Sequence, residues 1–246
     1  MSSMVPYRGS SANKAKKRPR SKSRSRTLTA ADVKRIARST QETKSEFNEI
    51  DLDQVFTPDY YLLNCPTQGV SSYGQRVGNT ITAQSLEIRG GVSAVPNGTA
   101  CTSFALVVIQ DKEPDGAVPT MGSVFEIFSA SGEDPLFSLR NPKYMERYKI
   151  LHREDHTISP IYGTDAGKAP VGGTPSQMTY HIYLDLTKKL TAAERQIKFI
   201  NTGGTITSMG SNAIYLLILP SNQARFGETL SANAPMHYAQ TKFNYK

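Results

Sequence analysis

The sequence predicts an all-β fold, a sandwich of two antiparallel sheets, preceded by a basic N-terminal arm and a short basic helix. Three observations support this fold class. From about residue 46 onward, short runs of β-branched and aromatic residues recur. Dipeptides rich in Gly, Pro, Asn and Asp separate these runs and indicate turns. No regular series of helices alternates with the runs, as it would in an α/β fold.

Charge is distributed very unevenly along the 246 residues, whose formal net charge is +8. Residues 1–26 contain nine basic side chains and no acidic one, so the other 220 residues sum to −1. The body is close to neutral, and its length suits one domain with a tail. A positive tail on a neutral body indicates a polyanionic partner, either nucleic acid or an anionic membrane.

The arm, residues 1–28, consists largely of Ser, Lys and Arg and is predicted to be disordered, because it has little to bury. Its cations can bind phosphates by counterion release without reading bases. A merely solubilising tail is the alternative, whereas a membrane partner is disfavoured because no aromatic or lipidation signal accompanies the charge. Four residues also match a nuclear-import signal: Lys16, Lys17, Arg18 and Arg20. The predicted nucleic-acid-binding residues, three of them in the following helix, are Arg8, Lys14, Lys16, Lys17, Arg18, Arg20, Lys22, Arg24, Arg26, Lys34, Arg35 and Arg38.

A short basic amphipathic helix is predicted over residues 29–41. Thr29 and Asp32 have the spacing of a capping box, in which the Thr side chain satisfies free amides of the first turn. The acidic residue also lies near the positive end of the helix dipole. Val33, Ile36 and Ala37 share one face at helical spacing, and the basic residues occupy the others.

The body, residues 46–246, is predicted to contain about eight strands. Several alternate between apolar and polar residues, which is typical of a sheet with one face on a core. Within the body, only 123–128 and 141–145 have helical patterns. The predicted strands are 47–53, 80–95, 102–110, 147–153, 178–186, 196–200, 213–219 and 238–245.

Catalysis and metal binding find little support in the sequence. No nucleophile elbow, Walker sequence or dinucleotide fingerprint is present. His152 and His156 have a metal-like spacing, but residues i and i+4 of a strand stand roughly 13 Å apart. The sequence therefore predicts no enzyme, no cofactor and no zinc site, and it treats this pair as a polar solvent or interface strip. Calcium at subunit contacts stays open, through Asp51, Asp53, Asp111, Asp115 and Asp165.

Two cysteines, Cys65 and Cys101, are too few for a disulfide framework and lie in no CxxC pair, so both are predicted to be free thiols. The longest apolar run, 213–220, is far shorter than the roughly 20 residues that cross a bilayer. No signal peptide is visible.

Five segments follow one another along the body in a characteristic order: Gly74-Gln-Arg-Val-Gly-Asn-Thr-Ile81, Ser85-Leu-Glu-Ile-Arg-Gly90, Phe104-Ala-Leu-Val-Val-Ile-Gln-Asp111, Tyr148-Lys-Ile-Leu-His-Arg153 and 212–219. An Arg and a Gly in the first segment precede a strand that ends in a hydrophobic-Arg-Gly step. This order resembles that of two groups of viral coat proteins: the satellite tobacco necrosis virus-like coat proteins, and those of circular Rep-encoding single-stranded DNA viruses. The resemblance covers roughly residues 46–246, and order and spacing carry it.

The resemblance implies a single eight-stranded jelly roll of two four-stranded sheets. It also implies a shell of sixty copies in which the arms hold a single-stranded genome, DNA in preference to RNA. Such a protein would be found in the virion, and in the host nucleus during assembly by way of an import receptor. Two alternatives stay open. One is a cellular nucleic-acid-binding jelly roll of the histone-chaperone type, and the other is a cupin-like enzyme, which would need a histidine-rich metal motif.

Overall fold

The fold is described from a computed structural model, which covers residues 29–30, 32–33, 42–54, 59–93, 102–126, 136, 138–158, 177–221 and 236–246. The chain divides into two units, 1–41 and 42–246. The first unit is represented by one helical turn near residues 29–33, and the second contains the sheets. Predictions for the arm, and for helix residues 34–41, fall outside the described residues.

Strands dominate the described part of the second unit, in agreement with the predicted all-β class. The helical elements of this described part are single turns: α1 (Met121–Val124), α2 (Leu186–Lys189) and 3-10 turns at Pro142–Tyr144 and Ile206–Ser208. The strands are β1 (Lys44–Gln54), β2 (Asp59–Leu62), β3 (Thr80–Ser93), β4 (Thr102–Asp111), β5 (Tyr148–Ile158), β6 (Gln177–Asp185), β7 (Gln196–Lys198), β8 (Ala213–Pro220) and β9 (Met236–Tyr245).

The strands form two antiparallel sheets. The first sheet has the order β1-β9-β3-β6, with β7 also paired to β3, and the second has the order β2-β8-β4-β5. The pairs β1 with β9, β2 with β8, β3 with β6 and β4 with β5 each join a strand from the first half of the chain to one from the second half. This is the arrangement of a long antiparallel ribbon folded over on itself. The protein is therefore a jelly roll.

The first sheet has one buried and one exposed face. Buried and exposed residues alternate along β6, where Tyr180, Ile182 and Leu184 are buried, and the same alternation runs along β9. A period of two places these side chains on the face toward the second sheet. The alternation read from the sequence is confirmed here.

The central strands of the second sheet are buried on both faces. Every residue of β8 is buried, and so are the residues of β4 from Phe104 to Asp111. Both strands contain a continuous apolar run, 104–109 in β4 and 213–219 in β8, instead of alternating apolar and polar residues. Such a run is typical of a strand that is buried on both faces. Val124 and Phe125, in the connection between β4 and β5, belong to the same buried cluster.

The sequence-based assignment differs from the structure in several elements. Strand β2 was not predicted, so the described residues contain nine strands rather than eight. The first sheet has five strands rather than four because β7 also pairs with β3. Strand β5 extends to Ile158, five residues beyond the prediction. The predicted helix at 123–128 is wrong at residue 125, because Phe125 bridges Arg140 in extended conformation. Helix α2 was also missed, although Asp185 caps it by accepting a hydrogen bond from the Thr187 amide at 3.1 Å.

Gly90, the glycine of the hydrophobic-Arg-Gly step, occupies a position in β3 with no room for a side chain. A Cβ built there would lie 2.5 Å from Tyr180 Oη and 2.6 Å from the Tyr238 carbonyl oxygen. At the neighbouring Gly91 the nearest atom, the Met178 carbonyl oxygen, would be 3.6 Å away, an ordinary contact. Glycine at 90 is thus required by the close approach of the Tyr180 ring.

Candidate functional site

Twelve residues were predicted to bind nucleic acid. All twelve, from Arg8 to Arg38, lie outside the described residues, and so does the predicted import signal Lys16–Arg20. What the structure adds for this segment is its junction with the predicted helix.

The capping box at this junction is confirmed. The Asp32 amide donates to Thr29 Oγ1 at 3.2 Å, and the Thr29 amide donates to Asp32 Oδ2, also at 3.2 Å. Thr29 Oγ1 donates to the same carboxylate at 2.8 Å, and the Val33 amide closes the first turn on the Thr29 carbonyl at 3.0 Å. The two side chains thereby satisfy amides that a helix start leaves free. The basic arm therefore ends at a defined helix start.

A second candidate surface is formed by two loop segments at one end of the jelly roll, 63–79 and 199–212. Backbone hydrogen bonds join them. The Gln68 amide donates to the Thr202 carbonyl at 3.0 Å, and the Phe199 amide donates to the Asn79 carbonyl at 2.9 Å. Within the first segment, the Arg76 amide donates to the Thr67 carbonyl at 3.0 Å. We call these two segments, 63–79 and 199–212, the uncharged end surface.

Arg76 holds these segments together from inside. It has the largest side chain among the fully buried residues, with 0% of its surface exposed. Its Nε donates to the Pro66 carbonyl at 3.0 Å, and its two terminal nitrogens donate to the carbonyls of Gly78 and Asn201. The guanidinium also lies 3.9 Å from the centroid of the Phe199 ring. One side chain therefore links three stretches of loop backbone.

This arginine is unusual because none of its hydrogen bonds in the described part of the chain reaches a carboxylate. Burial lowers the pKa of Arg76 from its ordinary value. Carbonyl oxygens accept the hydrogen bonds of the guanidinium instead, and its fork of donors thereby fixes the backbone geometry of the loops. Arg76 lies in the segment Gly74–Ile81, on which the coat-protein resemblance partly rests. Its role in holding the loops together was not predicted, because the local sequence pattern does not show that the side chain is buried.

The surface around Arg76 has a distinctive composition. Segments 63–79 and 199–212 together contain 31 residues, of which Arg76 alone is charged. Their exposed residues are Thr, Gln, Asn, Ser and Gly, together with large apolar residues. Val70, Val77 and Ile200 have exposed fractions of 88%, 66% and 70%. These two segments thus expose apolar and uncharged polar side chains and no charged one.

The outer face of the first sheet differs, because its charges occur in pairs. Glu87 accepts from Arg89 at 2.8 Å and lies 3.0 Å from His181 Nε2. Its pKa is lowered, chiefly by the hydrogen bond from Arg89. On the neighbouring strands Lys242 lies 5.4 Å from the centre of the exposed Phe47 ring. Among the described side chains of this face, cations lie beside a carboxylate or an aromatic ring, so the described part of the face offers no concentrated positive charge for phosphate.

The histidine pair 152 and 156 is arranged around a carboxylate. Glu154 lies between the two on the same face of β5, 2.9 Å from His152 Nε2 and 3.3 Å from His156 Nε2. The His156 ring packs against the buried Phe104 at 5.5 Å between centroids. These side chains are about a quarter to a third exposed, so they form a partly exposed polar strip, and its role at an interface stays a prediction. Within the described ranges, no cluster of three His, Cys, Asp or Glu side chains suited to a metal ion is found.

The carboxylates considered for calcium are engaged otherwise where they can be described. The buried Asp111 accepts two hydrogen bonds from Arg147, each 2.8 Å long, and Asp115 lies 3.4 Å from the same guanidinium. Hydrogen bonding to Asp111 raises the pKa of Arg147. An arginine thus occupies the position between these two carboxylates that a cation would need. Asp165 and the side chains of residues 51 and 53 lie outside the description.

Two ionisable groups, the half-buried Glu46 and the buried His237, were not anticipated from sequence. Burial raises the pKa of the Glu46 carboxyl to about 7, and its Oε2 has no hydrogen-bond partner among the described residues. Burial lowers the pKa of His237 to about 4, and its Nε2 is 2.5 Å from Tyr180 Oη. Cys65 is a free buried thiol, as predicted, and burial raises its pKa to about 12. These groups lie in the core and its margins rather than in an open cleft.

No protein-family model matches the chain, and no curated protein matches it. Among solved structures the chain is similar to one titled as the crystal structure of the 60-mer BFDV capsid protein, with a TM-score of 0.24 and 8% sequence identity. That similarity covers 82% of this chain and 88% of the other. No helix in the described part is long and apolar enough to cross a membrane.

Proposed function

We propose that this chain is a structural coat protein that assembles into a small icosahedral shell of about sixty copies. Its arm, residues 1–28, binds a single-stranded nucleic acid genome inside that shell. The observation that carries the proposal is the union of two features in one chain: a jelly-roll body of nearly zero net charge, and an N-terminal segment with nine cations and no anion.

The charge distribution fits a division of labour. Identical bodies that carried a large charge would repel one another strongly in a shell, whereas residues 27–246 together sum to only −1. Sixty arms with nine cations each bring 540 positive charges to one polymer. Many flexible cationic segments acting on a single chain bind it far more tightly than any one of them. The coat-protein resemblance of the body agrees with this role and favours DNA over RNA.

Assembly is tested with the full-length protein by size-exclusion chromatography with light scattering and by electron microscopy. We expect particles in the megadalton range, whereas a cellular jelly-roll protein or an enzyme would elute as a small oligomer. Digestion of the particle contents with DNase or RNase identifies the nucleic acid. A protein that stays small at all concentrations, with and without nucleic acid, would contradict the proposal.

Genome binding is tested through its dependence on salt. Each phosphate contact on a single strand contributes about −0.7 to the slope of log affinity against log salt concentration. Six to nine engaged cations therefore predict a slope of roughly −4 to −6. Replacing Arg24 and Arg26 with Ala should reduce its magnitude by about one and weaken binding to all sequences alike. A slope near zero would show that the arm does not bind by counterion release.

Nuclear import of the chain before assembly is part of the same proposal. A fluorescent fusion of residues 1–40 should accumulate in nuclei by binding a host import receptor. Replacing Lys16, Lys17, Arg18 and Arg20 with Ala should return it to the cytoplasm, whereas replacing Arg24 and Arg26 should not. Nuclear accumulation that survives the fourfold change would assign retention to the remaining basic residues.

A further inference from the structure

We propose that the uncharged end surface, formed by segments 63–79 and 199–212, is a contact between copies of this chain. This inference rests on the proposed assembly and names one of the surfaces that would perform it. Charged residues make up 20% of the chain, so about six would be expected among these 31 residues. One is present, Arg76, and it is fully buried. Depletion of charge is the compositional mark of the buried core of an interface.

The exposed apolar side chains of this surface lie on adjacent segments. Residues 66–69, 75–79 and 199–202 are joined by backbone hydrogen bonds, and each of these stretches carries or adjoins one exposed aliphatic residue. These residues are Val70, Val77 and Ile200. A single exposed valine is ordinary, but three on neighbouring segments form a patch whose burial would be favourable.

The patch is also held in shape before any contact forms. Arg76 links the carbonyls of Pro66, Gly78 and Asn201, so the loops on which the aliphatic residues stand are connected through one buried side chain. Binding of a rigid surface loses less conformational entropy than binding of a mobile loop. Loops that serve only as connections have no need of a buried guanidinium to bind them to one another.

The absence of charge indicates which partner fits. Nucleic acid requires cations at its phosphates, and none is exposed on these segments. A strongly charged protein would lose hydration here without gaining an ion pair. A second copy of this chain presents an equally uncharged surface, and closed symmetry brings equivalent surfaces together without repulsion.

The test introduces a carboxylate into the patch. Val70→Asp and Ile200→Asp are made in the full-length protein, with Leu139→Asp as a matched control, because Leu139 is 71% exposed and belongs to neither segment. Val70→Ile serves as the conservative variant. Circular dichroism and thermal melting of each variant establish that the subunit is folded. Exposed substitutions of this kind leave subunit stability nearly unchanged.

Particle formation is followed by light scattering over a range of protein concentrations. We expect the wild type, Val70→Ile and Leu139→Asp to assemble at similar concentrations. Val70→Asp and Ile200→Asp should need at least about a hundredfold more protein, because a carboxylate would be buried without a partner. If Ile200→Asp fails to fold, Val70→Asp decides the matter alone, since its side chain lies almost entirely in solvent.

The outcomes separate this inference from the proposed function. Particles that form normally from both aspartate variants would overturn the inference and leave the proposed assembly intact. A wild type that never assembles would overturn both. Loss of assembly in Leu139→Asp to the same extent would also overturn the inference, because any added carboxylate would then have the same effect.

Discussion

Replacing Arg76 with Ala should destabilise the folded subunit by about 3 kcal/mol. The substitution removes three hydrogen bonds from a charged donor to the carbonyls of Pro66, Gly78 and Asn201, together with the contact to the Phe199 ring. A hydrogen bond to a charged group contributes about 1.5–3 kcal/mol, and carbonyls left buried and unpaired cost more. The desolvation of the guanidinium, which the variant no longer requires, offsets part of this sum.

The prediction is checked by thermal and urea unfolding at protein concentrations low enough for the subunit to remain unassembled. For a domain of 150 to 250 residues, about 3 kcal/mol corresponds to a melting temperature lower by roughly 6–12 °C. Arg76→Lys should lose nearly as much, because a single ammonium cannot reach three separated carbonyls in the geometry of the fork. Arg89→Ala is the control, since its side chain is 69% exposed and its ion pair with Glu87 contributes less than about 1 kcal/mol.

The reasoning would be refuted if Arg76→Ala unfolded within about 1 kcal/mol of the wild type. It would equally be refuted if Arg76→Lys restored full stability, since charge alone would then be sufficient and the fork geometry irrelevant.

Three further predictions concern the body and the capping box. The Glu46 carboxyl, whose folded-state pKa is about 7 against an ordinary 4.5, should make stability fall as pH rises between these values, whereas His237, at about 4 against 6.5, should make it rise with pH. Melting curves should therefore be compared at about pH 5 and about pH 7. The stability of Glu46→Gln, which retains His237, should increase with pH, and that of His237→Gln, which retains Glu46, should decrease, each by on the order of 2 kcal/mol. Slopes of the same sign in both variants would contradict the assignment. Gly90→Ala should lose about 2–3 kcal/mol in urea unfolding because its Cβ would overlap Tyr180, while Gly91→Ala should stay within about 1 kcal/mol; equal losses would argue against the packing explanation. Thr29→Ala should cost the first helical turn about 1 kcal/mol, measured as lower helicity of a peptide of residues 27–41, and unchanged helicity would show that the box does not stabilise this start.

Most strands could be predicted from sequence because their cause is local. In β6 the alternation of apolar and polar residues predicts the alternation of buried and exposed side chains, and in β8 the unbroken apolar run predicts burial on both faces. Strand β2, four residues long, contains the pair Tyr60 and Tyr61 without an alternating pattern of its own. It becomes a strand through its pairing with β8, 153 or more residues later in the chain. No local pattern contains that information.

The candidate surfaces divide in the same way. The basic arm and the capping box at Thr29 were recognised from composition and spacing, and the cap geometry agrees with the sequence. The uncharged end surface was not recognised, because its two segments are more than a hundred residues apart. The calcium alternative at Asp111 and Asp115 was left open by sequence, and it lost support once Arg147 was found between the two carboxylates.

The sequence by itself determined the all-β class, the separation of a positive arm from a neutral body, and the start of the basic helix, since hydrophobic period, charge and capping act over a few neighbouring residues. Only the tertiary structure decided which strands pair, that Gly90 has no room for a side chain, and that the Arg76 side chain is buried. These depend on distant segments brought into contact. An arginine in the sequence is a surface cation by default, and only the fold of both loops around Arg76, with carbonyls at each of its nitrogens, makes burial of its charge possible.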